Sequence, residues 1–381
     1  MKNVCVVTGS RAEYGIMRVL LLKLNKEQNI KLDVVVTAMH LEEKYGNTCR
    51  QIEEDGLNIV KKIPLNLENT SKKCVSRSLA ILTTGLSELF EEVKYDLIII
   101  LGDRYEMLPV VNVALIYNIP VCHLHGGEKT LGNFDESIRH AITKMSHLHL
   151  VASEEFKNRV IQLGEEEHNV HNIGAMGVEN VIKQDFLTRN ELEEILGIKL
   201  EEEYYVVLFH PVTLEDGGAL KQIQILLEVL SEQTKQVIFI GSNSDTDSDK
   251  IMSAIEEYTE KHSSSKVFIS LKPREYHSLV KYSKGLVGNS SSGLIEIPSL
   301  KVPTLNIGNR QLGRLRGPSV VDVDTTKESI QKGLKELSNI RDFYNPYEQE
   351  NSIEKAKATI LDYLSKDRSI IKEFNDMMEG R

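Results

Sequence analysis

The sequence predicts an α/β protein made of two Rossmann-like, doubly wound domains with a cleft between them. Three observations carry this. Short β-branched apolar runs alternate with amphipathic helical stretches, the pattern restarts in the second half, and 381 residues is about two domains of chain. In the first half the strand signals are "NVCVVTG", "KLDVVVTA", "YDLIIILGD", "IPVCHLHGG" and "LHLVAS". Between them lie "YGIMRVLLLKLNKE" and "VSRSLAILTTGLSELFEEV", with apolar residues at helical spacing. Strands that are apolar throughout indicate a parallel sheet covered on both faces. In the second half "YYVVLFHP", "QVIFIGSN", "KVFISL", "GLVGNSSS", "VPTLNIG" and "SVVDV" repeat the rhythm without a residue-level repeat. The expected division is 1–175, 176–355 and a charged C-terminal helix over 356–381, with the first domain as the surface on which it would fold back.

Hydrophobic residues at 41% and charged residues at 27% are those of an ordinary globular chain. A formal charge of −10 and the lack of a dense Lys/Arg block argue against a nucleic-acid partner. Cys5, Cys49, Cys74 and Cys122 are widely spaced and form no CxxC pair, which argues against a zinc ribbon or redox motif. Cys5 and Cys122 sit in apolar runs and read as buried small hydrophobes. No stretch approaches the roughly 18 apolar residues of a membrane span, and the first residues lack the apolar core of a signal peptide. A cytoplasmic setting is the expectation.

In doubly wound sheets ligands bind beyond the carboxyl ends of the strands. "TGSRAEYG" follows the first strand and opens a helix, placing Arg11 at a helix N-terminus that attracts anions. It is neither GxGxxG nor a Walker A loop. "LGDRYE" delivers Asp103 and Arg104, with an N-cap as the plain alternative for the aspartate. "HLHGGEKTLGNFDESIRH" brings His125, Glu128, Asp135 and Glu136, and the acidic pair would suit the first turn of the next helix. The histidines match no HExxH or other close ligand spacing, so a metal is not predicted. Several carboxylates at one strand end fit proton transfer better, because burial and like charges raise a carboxyl pKa toward neutrality.

In the second half His210 stands at a strand end, where structural and catalytic roles both remain open. "GNSSSGLIE" sets Ser290, Ser291 and Ser292 between a strand and a helix, where hydroxyls and free N–H groups suit a diphosphate. Glu296, one turn on, suits a ribose. Arg310, Arg314 and Arg316 supply local positive charge in an acidic protein.

Assembled, these segments resemble the hydrolysing UDP-N-acetylglucosamine 2-epimerases of bacterial sialic-acid synthesis. The resemblance runs from "TGSRAEYGIMR" through "LGDRYEM", "HLHGGEKTLGNFDESIRHAITKMSHLH" and "YSKGLVGNSSSGLIEIPSLKVPTLNIG" to "RQLGRLRGPSV". It implies a two-domain GT-B fold, a UDP-sugar substrate and no cofactor. It also implies a homodimer or higher homo-oligomer. The implied reaction removes the C2 proton and expels UDP from C1, giving 2-acetamidoglucal, and then adds water to yield N-acetylmannosamine. The resemblance assigns chemistry to Asp103, Glu128, Asp135, Glu136 and His210. It assigns substrate binding to Arg11, Arg104, His125, Ser290, Ser291, Ser292, Glu296, Arg310 and Arg314, and uridine contact to Asn243. Wider relatives carry a glutamate where His125 stands, so the resemblance leaves base and acid unassigned. Two other readings stay open. One is a hydrolysing 2-epimerase of a nucleotide-linked 2,4-diacetamido-trideoxy sugar (the legionaminic-acid pathway), and the other is a GT-B glycosyltransferase.

Overall fold

Runs such as "LIIIL" have no polar face, so a strand made of them is stable only with apolar cover on both sides. The computed structural model describes the chain apart from residues 44–46, 67–71, 131–134, 211–217, 242–247, 368 and 377–381. The described chain forms two compact units. The first is built from Met1–Lys129, Asn133–Asn180 and the chain from Gln349 onward, and the second from Val181–Glu348 with Thr130–Gly132.

The first unit holds seven strands: β1 (Lys2–Thr8), β2 (Ile30–Thr37), β3 (Asn58–Ile63), β4 (Leu97–Leu101), β5 (Val121–Leu124), β6 (Leu148–Val151) and β7 (Val170–Asn172). They pair in parallel in the order β3-β2-β1-β4-β5-β6-β7. Alternate residues of β1 face opposite layers. Val4 and Val6 join the helix Arg11–Leu24, while Cys5 and Val7 join Lys72–Glu92 and Met107–Ile116. Strand order reverses between β1 and β4, which makes their carboxyl ends a topological switch point. Cys5 and Cys122 are fully buried, as their apolar surroundings predict.

The second unit holds β8 (Tyr204–Leu208), β9 (Gln236–Ile240), β10 (Lys266–Phe268), β11 (Gly285–Gly288), β12 (Thr304–Ile307) and β13 (Val320–Val323). They too are parallel, in the order β10-β9-β8-β11-β12-β13, with a switch point between β8 and β11. All six strands read from this half of the sequence are present. In the first half β3 and β7 go beyond the strands that the sequence signals: one breaks its apolar run with Lys61 and Lys62, and the other has only three residues.

The chain then returns to the first unit. The helix Ser352–Ser365 buries Ile353, Ala356, Ile360 and Leu364 in the same layer as the helix Arg11–Leu24. Ion pairs Lys23–Glu354 at 2.5 Å and Lys357–Glu27 at 3.0 Å flank that contact. Among the described residues the helix expected over 356–381 ends at Ser365. The Lys372 ammonium donates to the carbonyls of Lys144 and Ser146 and pairs with Glu165 at 2.7 Å, and the Asn375 N–H donates to Gly164 at 3.0 Å. These long-range bonds tie the segment to the first unit without helix, where local propensity alone would favour it. Among the described residues, no helix is long and apolar enough to cross a membrane.

Candidate active site

In the first unit the polar groups gather beyond β1, β4 and β5. After β1, Ser10 caps the helix Arg11–Leu24, its Oγ accepting from the Glu13 N–H at 3.3 Å. Arg11 is the first helical residue and is exposed. Glu13 turns inward, and its carboxylate accepts from the Gly9 N–H at 2.8 Å. Arg104 Nε donates to the buried Glu106 at 2.5 Å and stands 3.9 Å from Glu13. Two buried carboxylates then share one cation. Burial first, and the Glu106 charge second, raise the Glu13 pKa to about 7.

After β4, Gly102 adopts φ +78° and turns Asp103 out of the strand. The next helix, Met107–Ile116, has Glu106 at its N-cap, so Asp103 does not fill the capping role open to it. Its carboxylate instead accepts from both Nε, at 2.9 Å, and Nη2 of Arg139. His123 on β5 steadies the same turn by donating from Nε2 to the Gly102 carbonyl at 2.8 Å. Burial holds His123 down to about 3, so it stays neutral.

After β5, His125 takes the left-handed φ of +63° and its Nδ1 donates to Glu128 at 3.0 Å. Gly127 has φ +75°, and a Cβ there would stand 2.5 Å from the Phe156 carbonyl oxygen, so this turn needs glycine. The helix Asp135–Met145 begins with the acidic pair, where its dipole favours negative charge. One turn on is Arg139, only 1% exposed. Its Nη1 donates to Glu136 at 2.5 Å and to the Glu128 carbonyl at 2.7 Å. Arg139 thereby binds Asp103, Glu136 and the main chain of Glu128 at once. Asp135 faces the same charges. Burial, then the Asp103 charge, raise it to about 6, against the opposing pull of Arg139 and Arg104.

Two further histidines of this region pair with carboxylates, one inside this group and one outside it. His140 Nε2 lies 3.2 Å from Glu136, and His149 Nε2 lies 2.9 Å from Glu165. Among the described residues no group of three or more His, Cys, Asp or Glu side chains is arranged to hold a metal ion.

The second unit places its polar groups beyond β8, β11 and β12. His210 follows β8 and is 8% exposed; burial, then nearby Arg310, lower its pKa to about 4. Ser290, Ser291 and Ser292 follow β11, but the helix they open is the single turn Ser292–Ile295, followed by a 3-10 turn over Ile297–Leu300. The dipole expected of a full helix is therefore largely absent; Pro298, which lacks an N–H, stands just beyond the turn, where a continuing helix would need one. What remains is a cluster of hydroxyls. Ser292 Oγ lies 2.8 Å from Tyr276 Oη and 3.1 Å from Ser290 Oγ. Glu296 ends the turn, 3.4 Å from His277 Nε2, whose Nδ1 lies 3.2 Å from Gln184 Oε1. Arg310 donates to the Asn289 carbonyl at 3.1 Å. Arg314 is half-buried, and its carbonyl accepts from Arg316 at 3.1 Å. Arg316 pairs with Asp322, so its charge is spent within the unit. Asn243 lies outside the described residues.

Arg139, Asn289 and the Glu13–Glu106 pair escape a reading of the sequence. A signal existed for Arg139. It falls on the buried face of its helix with Ile142 and Thr143, and a cation there needs partners.

A family model described as UDP-N-acetylglucosamine 2-epimerase matches residues 22–361. The chain is 45% identical over 387 residues to polysialic acid biosynthesis protein P7 of Escherichia coli, covering 100% of this chain and 98% of the relative. It is 41% identical to the GDP/UDP-N,N'-diacetylbacillosamine 2-epimerase (hydrolyzing) of Campylobacter jejuni, covering 84% of each. Its fold matches the crystal structure of the UDP-GlcNAc 2-epimerase from Neisseria meningitidis bound to UDP-GlcNAc. There the TM-score is 0.73 at 18% identity, over 95% of this chain and 100% of the other.

Proposed function

The chain belongs to the UDP-N-acetylglucosamine 2-epimerase family, and we propose that it is a hydrolysing member, converting UDP-N-acetylglucosamine and water to N-acetylmannosamine and UDP. The observation that carries this reading is the carboxylate set around Arg139. Asp103, Glu128, Asp135 and Glu136 lie together beyond the first sheet, and Asp135 titrates near 6. A general base works best with a pKa near the operating pH.

The substrate's C2–H is not activated by a carbonyl, so a carboxylate removes it only as the C1–O bond to the diphosphate breaks. The C–H electrons become the C1=C2 double bond, and the C1–O electrons leave on UDP. A second proton transfer then delivers hydrogen to the opposite face of C2, and water adds at C1. The ionised carboxylates of the first unit stabilise positive character at C1. To the second unit we assign the diphosphate and ribose. Arg310 and Arg314 would meet the phosphates, the hydroxyls of Ser290, Ser291 and Ser292 would donate to them, and Glu296 would accept from the ribose hydroxyls. Arg11 and Arg104 are assigned to substrate, and His210 to the departing oxygen. His125 orients Glu128 through their 3.0 Å bond.

The test is turnover of UDP-N-acetylglucosamine in deuterated water, followed by NMR. The expected product is free N-acetylmannosamine with deuterium at C2; product without that label would sink the elimination. The Campylobacter relative supports a second reading, in which the substrate is a nucleotide-linked 2,4-diacetamido sugar. Turnover of the two nucleotide sugars side by side decides between them.

A further inference from the structure

Asn289 is 1% exposed and follows β11 directly. Its Oδ1 accepts from the His210 N–H at 2.7 Å, and its Nδ2 donates to the His210 carbonyl at 2.8 Å. One carboxamide thus satisfies both main-chain groups of one residue. The main-chain ladder between β8 and β11 ends at the Leu208–Gly288 pair, with the Asn289 N–H donating to Leu208 at 3.2 Å. The Asn289 side chain carries that ladder one residue further. Gly288 makes the approach possible: a Cβ there would stand 2.0 Å from the Leu208 carbonyl oxygen, at φ +144°.

The Asn289 carbonyl faces the other way and accepts from Arg310 Nη1 at 3.1 Å and Gln311 Nε2 at 2.9 Å. The His210 imidazole Nδ1 is buried and has no hydrogen-bond partner among the described residues. Nδ1 therefore gives the ring no anchor of its own. The His210 main chain is held at both polar groups by one side chain.

We propose that Asn289 is a positioning residue, clamping the main chain of His210 so that its imidazole is held in register with Arg310. This rests on the reading that His210 and Arg310 serve the departing diphosphate. Only asparagine meets the geometry. Aspartate cannot donate to the carbonyl, alanine offers neither group, and glutamine is one methylene too long for a site this buried. Buried amides of this kind fix one conformation when both ends are satisfied.

The test uses the full chain with Asn289→Ala, Asn289→Asp, His210→Ala and the double variant Asn289→Ala/His210→Ala. Asn289→Ala should lower kcat on the order of 10²-fold, as for a displaced catalytic group. UDP affinity should hold within about threefold, since Arg310 bonds the main chain of Asn289 rather than its side chain. Asn289→Asp keeps the size and should fold, with a similar kcat loss. The double variant should be no slower than the worse single one, because both changes remove the same contribution. Losses that multiply in the double variant would overturn the proposal, as would full turnover by His210→Ala.

A readout independent of turnover separates this proposal from the assigned reaction. Imidazole NMR should find the His210 pKa near 4 in the unaltered chain. In Asn289→Ala it should rise toward the ordinary histidine value of 6.5 as water reaches the loosened ring. An unmoved titration refutes the clamp. If the unaltered chain turns over neither nucleotide sugar, the assigned reaction fails while this titration still decides the clamp.

Discussion

Replacing Arg139 tests whether one buried cation organises the carboxylates of the first unit. Arg139→Met keeps an unbranched apolar stem but leaves Asp103, Glu136 and the Glu128 carbonyl without their donors. Breaking a buried ion pair by removing one partner costs about 3–5 kcal/mol. Asp103 and Glu136 keep 27% and 26% of their side chains exposed, so water recovers part of that. A loss of about 2–4 kcal/mol is expected, read by urea denaturation. Arg139→Lys is the sharper probe. It keeps the charge but replaces a planar fork with a point, and a point cannot serve Nε, Nη1 and Nη2 geometry together. Stability should fall less than in the methionine variant, whereas kcat should fall on the order of 10²-fold, the cost of misplacing catalytic groups by about 1 Å. The assay is UDP release from the nucleotide sugar, with folding checked by circular dichroism. A lysine variant with kcat within about twofold of the unaltered chain would refute the idea that the fork sets the geometry.

The pH dependence follows from two raised carboxyl groups. Asp135 titrates near 6, so kcat/KM should fall as pH drops through 6, and Asp135→Asn should abolish that limb along with most activity. Glu13 rises from 4.5 to about 7 on folding, so the folded chain keeps a proton that the unfolded chain releases. Stability contributed by that proton is full below about pH 4.5 and is lost as pH rises through 7. Glu13→Gln, fixed in the neutral form, should flatten the loss across that window, and denaturation midpoints from pH 4.5 to 8 would show an unchanged slope if Glu13 were ordinary. Gly127→Ala should destabilise by about 1–3 kcal/mol or more, since its φ of +75° is strained for alanine and its Cβ meets the Phe156 carbonyl; thermal melts measure it.

The fold was legible wherever a strand is buried on both faces. β1, β2, β4, β5 and β6, and all six strands of the second unit, announce themselves as apolar runs ending in turn residues. β3 and β7 are silent for local reasons: "NIVKKI" breaks its apolar run with Lys61 and Lys62, and "VHN" offers only three residues, whereas the edge strands β10 and β13 keep enough valine and phenylalanine to be read. The C-terminal tail misleads for the opposite reason. Its charged, helix-compatible composition is overruled by Lys372, whose ammonium finds two carbonyls and a carboxylate in the first unit. No local pattern foretells such a bond.

The first-unit site was legible in its acids and illegible in what holds them. Strand-end motifs disclose Asp103, Glu128, Asp135 and Glu136 because ligands of a doubly wound sheet bind where its strands stop. The sequence does not disclose that four acids must be restrained from repelling one another, or by what. Arg139 does this from inside a helix, and so reads as one more residue of an amphipathic pattern. The arrangement also bears on His125. A left-handed backbone at a non-glycine residue costs about 1–3 kcal/mol and persists only when the surroundings fix it. Here that conformation aims Nδ1 at Glu128, while Arg139 holds the Glu128 carbonyl from the other side. Glu128 is thus fixed at its side chain by His125 and at its main chain by Arg139. A guanidinium does not deprotonate in a protein, so the part of Arg139 is to fix where the main chain of Glu128 stands, while the bond from His125 fixes where its carboxylate points.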